Sequence, residues 1–275
     1  MANMDNIFSF IFMQRALIAS VMIGVLCSAV SLLVVLKRLS FLSVGLSHSA
    51  LGGIAMGLVT GINPMLTGIL FAIIVALATG LATHRRKIAE DTAIGIMFSA
   101  GMGIGIILIS LASGYYPELF SLLFGNILAV TSADLYLLGT VTVAVLLFIG
   151  FFLKELLAIC FDEEMALVGG IPVMPLYLGM LVAMAVTIMV SVKIAGVVLA
   201  SALLVIPAAT GYRLCKNYRG MLVASLLTGL VGCIGGLLLS YFLNFPSGAT
   251  IVLVMTTLFL LSGFKKTKDP PTASF

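Results

Sequence analysis

Nine long apolar runs divide this chain, and its basic residues gather in the short gaps between them. The runs cover residues 16–36, 41–60, 65–83, 93–112, 134–153, 175–192, 195–212, 220–243 and 249–264. A bilayer's hydrocarbon core is about 30 Å thick and a helix rises about 1.5 Å per residue, so roughly 20 apolar residues are enough to cross it. The runs are continuous and do not alternate with period two, which predicts helices and excludes the strands of an outer-membrane barrel. The expected fold is all-α: a polytopic transmembrane bundle of eight or nine helices, forming a single domain over residues 1–275. Two places leave the count open. The segment after Lys193 could be re-entrant, and 119–130 is a further apolar stretch too short to span comfortably.

If each run crosses once, Lys37, Arg38, Arg85 to Lys87, Lys154, Arg213, Lys216, Arg219, Lys265, Lys266 and Lys268 share one face, and only Arg15 and Lys193 lie on the other. Short loops rich in Lys and Arg stay in the cytoplasm. The N-terminus is therefore expected outside, and the C-terminus with its tail 265–275 in the cytoplasm of a bacterial inner membrane. The first run is full length and is followed at once by Lys37-Arg38. That is a stop-transfer flank, and no cleaved signal peptide is expected.

Composition agrees with the pattern. The chain is 62% hydrophobic and 9% charged, with mean hydropathy +1.29, where a soluble domain carries about 25% charged residues. The net charge of +4 reflects the one-sided basic residues and does not suggest nucleic acid. Cys27, Cys160, Cys215 and Cys233 show no C-x-x-C spacing and no paired framework. Cys27 and Cys233 fall inside runs and read as small packing residues.

Many of the 28 glycines lie inside runs, where small residues let helices approach closely in lipid. Gly53, Gly57 and Gly61 form one stripe at four-residue spacing, Gly101 and Gly105 a second, and Gly229, Gly232 and Gly236 a third. Gly101-x-Gly103-x-Gly105 follows no strand, and no Walker pattern occurs, so packing explains it better than nucleotide binding. Any ATP-driven work would need an ATPase on another chain. Pro207 breaks the backbone ladder of the seventh run. It marks either a kink or a discontinuous helix beside a transport route.

His48 stands out among the polar residues. It lies about 10 residues into the second run, near the bilayer midplane, flanked by Ser47 and Ser49. An ionisable group there is a functional candidate by default, and imidazole is the commonest metal-ligand side chain. The competing reading is a histidine satisfied by a backbone carbonyl. His84 sits in a basic cluster with Arg85 to Lys87 and is expected only to help orient the chain. The segment 161–173 runs Phe161-Asp162-Glu163-Glu164-Met165-Ala166 to Gly169-Gly170 and Pro172. It predicts a short helix started by acidic residues and stopped by Gly and Pro, suited to docking on a partner or simply to being a solvated loop.

Five segments in order carry a resemblance over most of the chain: Phe41-Leu-Ser-Val-Gly-Leu-Ser-His48-Ser-Ala-Leu, Leu122-Leu-Phe-Gly-Asn-Ile-Leu-Ala-Val130, Phe161-Asp-Glu-Glu through Gly169-Gly-Ile-Pro-Val173, Val197-Val-Leu-Ala-Ser-Ala-Leu-Leu-Val-Ile-Pro-Ala-Ala-Thr210, and Leu239-Ser-Tyr-Phe-Leu-Asn-Phe-Pro-Ser-Gly-Ala-Thr-Ile251. Together they resemble the ABC-3 family, the type II-like membrane permeases of bacterial zinc, manganese and iron ABC importers. The resemblance implies a homodimer or close pair of permeases in membrane lipid, two cytoplasmic ATPase subunits and an extracytoplasmic metal-binding protein. It implies no permanently bound cofactor and no catalysis by this chain. The divalent metal is cargo, with a transport pathway through His48, Ser47 and Asn244 and His48 as the ligand. Phe161, Asp162, Glu163, Glu164, Met165, Ala166 and Gly169 fall on the family's ATPase-coupling helix.

Two positions depart from the family pattern. Val44 stands where an Asp four residues before the histidine is common, and Asn244 where an Asp often precedes Pro-Ser-Gly-Ala. Both changes remove carboxylate from a cation route. Since carboxylates suit manganese and imidazole suits zinc, zinc is the expected cargo, with manganese or iron as alternatives. A permease driven by an ion gradient without an ATPase is the other reading. It would need intramembrane carboxylates, which the runs nearly lack. An intramembrane enzyme built on His48 would need an HExxH, GxSxG or second intramembrane His, and the sequence has none.

Overall fold

The computed structural model describes residues 10–84, 89–111, 125 and 127–263. Among them there are no strands. The helices are α1 (Ile11–Leu36), α2 (Ser40–Thr60), α3 (Pro64–His84), α4 (Glu90–Leu111), α5 (Ser132–Phe161), α6 (Glu163–Val168), α7 (Val173–Ala195), α8 (Val197–Leu203), α9 (Ile206–Leu214), α10 (Tyr218–Leu243) and α11 (Ser247–Ser262), with a 3₁₀ turn at Ile127–Ala129. Eight stretches are long and apolar enough to cross a membrane, α8 and α9 counting together as one; α11, with 16 residues, is a shorter apolar helix. The described parts of all nine expected runs therefore emerge as helix, the seventh in two pieces. The basic cluster 85–87, most of 119–130 and the tail 265–275 lie outside the described residues.

Three expectations need correcting. First, the fifth helix does not stop with its apolar run at residue 153. Helix α5 runs 30 residues to Phe161, with non-helical angles only at Phe152, because Leu156, Leu157 and Ile159 after Lys154 are buried and hold the extra turns by packing. Second, the seventh run is two short helices of seven and nine residues. Pro207 lacks the N–H that Leu203 would need as its partner four residues on, and its ring crowds that carbonyl. Helix α8 accordingly stops at Leu203, and Pro207 falls in the first turn of α9, where a missing donor costs nothing. Pro207 marks a discontinuous helix and not a kink. Third, Gly61 does not belong to the packing stripe of Gly53 and Gly57. It has φ 72° and open space around it and ends α2 in the left-handed region that glycine adopts freely.

The chain divides into two compact units, and the boundaries after Leu32, Leu147 and Met189 fall inside α1, α5 and α7. One takes the described residues up to Leu32, those within 121–147, and those from Val190 on. Within it the backbones of α1 and α10 come close, since a Cβ placed on Gly24 would meet the Gly229 carbonyl at 3.2 Å. Cys27 Sγ lies 3.2 Å from Ser191 Oγ, and both Cys27 and Cys233 are fully buried, as packing residues would be. Lys193 is paired with Asp134 at 2.5 Å, and Asp134 also accepts from the Thr131 hydroxyl at 2.6 Å.

The other unit takes residues 33–120 and 148–189 where described. Helix α2 lies against both α3 and α4. A Cβ on Gly52 would sit 2.5 Å from the Gly101 carbonyl oxygen, and one on Gly101 would meet Ser49 at 2.7 Å. Gly101 is thus a packing residue, as its spacing suggests.

Candidate transport site and exposed helix

His48 is the ninth residue of the 21-residue α2, about 12 Å along the axis from Ser40. Its ring is half-buried and stands edge-on to Phe98 of α4, with centroids 5.5 Å apart and planes at 84°. His48 Nδ1 lies 3.0 Å from the Val44 carbonyl oxygen. A carbonyl only accepts, so the hydrogen is on Nδ1 and the lone pair on Nε2. This backbone bond satisfies one ring nitrogen and leaves the other to present its lone pair to a cation. It is the arrangement that metal-binding histidines use: one nitrogen on the ion, the other tied to a carbonyl or carboxylate. The two readings of a lone histidine are compatible here.

Ser47 does not share that role geometrically. It is fully buried, and its hydroxyl donates to the Ser43 carbonyl at 2.7 Å, which is ordinary back-bonding within a helix. Ser49 likewise donates to Leu46 at 3.1 Å. Asn244 belongs to the other unit. It has φ 53° and ψ 38° and ends α10, with its N–H donating to the Ser240 carbonyl, while Phe245 N–H reaches the same carbonyl at 3.1 Å. Asn tolerates this left-handed conformation better than most residues, so the fold supplies a local reason for Asn244. Among the described residues no group of three or more His, Cys, Asp or Glu is placed to hold a metal ion.

The 161–173 segment is a short helix with defined caps. Asp162 Oδ1 accepts from the backbone N–H of Glu164 and of Met165, each at 3.0 Å, which is how a side chain caps a helix start. Gly169 and Gly170 (φ 80°) end it. Ala166 is buried, while Phe161, Glu164, Met165, Leu167 and Val168 are exposed, Val168 by 84%. An apolar, acid-flanked face on a six-residue helix has little reason to persist in water.

Glu163 points the other way. Its Oε2 pairs with Lys37 Nζ at 2.9 Å, and the two side chains are 37% and 12% exposed. Lys37 also donates to the Ile159 carbonyl at 3.4 Å and stands 5.6 Å from the Tyr177 ring centroid. Sequence pattern gives Lys37 only an orienting role. Its partner is 126 residues away, a separation that no spacing rule reads.

Eight stretches long and apolar enough to cross a membrane, with a histidine inside one of them and a capped short helix exposing apolar side chains, define the class: a multi-pass membrane protein. The chain belongs to the ABC 3 transport family, whose pattern matches residues 9–266. It is similar to the manganese transport system membrane protein MntC of Halalkalibacterium halodurans, with 33% identity over 96% of this chain and 91% of that protein. It is also similar to the chelated iron transport system membrane protein YfeD of Yersinia pestis, with 32% identity over 93% and 86%. Among solved structures, a chain of PsaBC from Streptococcus pneumoniae in complex with Fab superposes with a TM-score of 0.85 and 33% identity, over 96% of this chain and 95% of that one.

Proposed function

We propose that this chain is the permease subunit of an ATP-driven importer of a divalent first-row transition metal. It receives the ion from an extracytoplasmic binding protein and releases it to the cytoplasm. The observation that carries the reading is the His48 ring, fixed within a span by its Val44 bond so that Nε2 is left as a ligand. An imidazole with no carboxylate at position 44 holds an ion weakly, and a conduction site must release as readily as it binds. The zinc preference drawn from the missing carboxylates gains no support from the relatives, whose names give manganese and chelated iron. Manganese is the first cargo to test.

The exposed face of α6 is the surface for a separate cytoplasmic ATPase, which puts the basic ends of the spans and the C-terminus in the cytoplasm and the N-terminus outside. A second copy of the chain completes the pathway in the inner membrane. Asn244, which ends α10, falls on the external face in this orientation, and Ser47 supports His48 through the helix and does not touch the ion. Nothing in the fold or the relatives favours the gradient-driven alternative.

The test is uptake of manganese, iron and zinc by cells lacking their own importers. The cells express this chain with its ATPase and binding protein, or with an ATPase that cannot hydrolyse ATP. Uptake of one metal that disappears with the dead ATPase is expected. Uptake indifferent to ATP hydrolysis overturns the proposal.

A further inference from the structure

We infer that Lys37 is a positioning residue that links the partner-facing helix α6 to the histidine-bearing span α2. The inference rests on the reading of α6 as the ATPase contact, and three observations carry it.

The first is the set of groups that Lys37 holds together. A single ammonium, 12% exposed, meets the first residue of α6 through Glu163, the last turns of α5 through the Ile159 carbonyl, and the start of α7 through the Tyr177 face. Glu90, the first residue of α4, lines the same cavity of about 370 Å³ as Glu163 and Tyr177. The ammonium is enclosed while Glu163 keeps access to solvent, so separating the pair costs mainly the uncompensated lysine, and removing the lysine charge leaves a carboxylate that water can still reach.

The second is the turn that follows. Lys37 caps α1, Arg38 is left-handed at φ 62°, and α2 begins at Ser40. Leu39 N–H donates to the Val34 carbonyl at 2.8 Å and Arg38 N–H to Val35 at 3.2 Å, the crossed pair of bonds that closes a helix with a left-handed residue. Leu39 is buried, and its carbonyl accepts from Leu42 N–H at 3.0 Å. No slack residue separates the ammonium from α2.

The third is the placement of α6. The helix is six residues long, too short to be stable alone, so its orientation comes from its attachments. A load on its exposed face passes through the Glu163 carboxylate to Lys37, then through the bonded turn to α2, and His48 moves with α2.

The test uses the full complex in proteoliposomes and reads metal ions moved per ATP hydrolysed. Wild type is compared with Lys37→Gln, Lys37→Arg and the reversed pair Lys37→Glu with Glu163→Lys. Lys37→Gln is expected to assemble with the ATPase and melt within a few degrees of wild type, while the metal-to-ATP ratio falls by about tenfold, the size of a typical coupling between sites. Lys37→Arg and the reversed pair are expected to restore most of the ratio. A purely structural role would lower the yield of complex without changing the ratio of what assembles. A wild-type ratio in Lys37→Gln overturns the inference. So does failure of both Lys37→Arg and the reversed pair to recover the ratio, whether or not Lys37→Gln assembles. If wild type itself moves no metal with ATP, it is the importer reading that falls.

Discussion

Helices α2 and α6 are both places where this chain is built to meet something other than itself, and they are held in opposite ways. Helix α2 lies against α3 and α4 with backbone so close that Gly52 and Gly101 leave no room for a methyl group, and its histidine is fixed by its own backbone. Helix α6 is six residues with one buried side chain, a carboxylate cap at its start and a carboxylate tether to Lys37. In α2 the atoms that make the fold also set the ligand. In α6 the atoms that face a partner are separate from those that hold the helix. Substitutions should therefore damage α2 through stability and α6 through coupling.

The largest effect is expected from Gly52→Leu, which drives a side chain into the Gly101 carbonyl and the Phe71 ring. Overpacking costs about 1–3 kcal/mol or more, and in detergent the variant should melt well below wild type or fail to be recovered. An unchanged melting temperature would mean that the α2–α4 approach is looser than drawn. Next, His48→Ala should lower uptake by about tenfold or more, at least the effect of losing a supporting group around a metal. Melting and ATPase association should be unchanged, which separates ligand from scaffold within α2. Normal uptake in that variant would remove His48 from the pathway.

Asp162→Ala sharpens the contrast from the other side. Losing a helix cap costs about 1 kcal/mol, taken from a helix with little else to hold it. Uptake should fall severalfold while metal binding by the isolated permease stays as it was. A fall in binding would show that α6 does more than couple. The smallest change is expected from Val44→Asp, which adds a carboxylate one helical turn from His48. Metal should be retained longer, with slower release, in an equilibrium binding and washout measurement. Identical retention would place position 44 off the ion's route.

The contrast also shows what the sequence could reveal. Spans such as 41–60 and 220–243 emerge within two residues of their expected ends because hydropathy over 20 residues is a long-range signal. His48 is legible because an imidazole in lipid is costly, and the 161–173 helix because its cap and glycine stop are local. The break at Leu203 was visible as Pro207 but not decidable, since a kink and a gap share the same missing N–H. The helical extension past Lys154 was hidden by the charged pair Lys154-Glu155, and only the burial of Leu156 and Ile159 explains it. The inward turn of Glu163 and the cap role of Asn244 depend on tertiary contact and on φ, which residue identity alone does not fix.

The interleaving of the two units sets a schedule for biogenesis. The α1 backbone at Gly24 fits against Gly229, 205 positions later (229 − 24). Ribosomes add about 5–20 residues per second, so the first span waits on the order of 10–40 s for that neighbour to be made. Residues 33–120, by contrast, supply α2, α3 and α4 consecutively. The α2–α3–α4 part of the histidine-bearing unit can therefore assemble while α1 still lacks its α10 neighbour, and an insertase or chaperone that shields lone helices has its clearest client in the first 26-residue span.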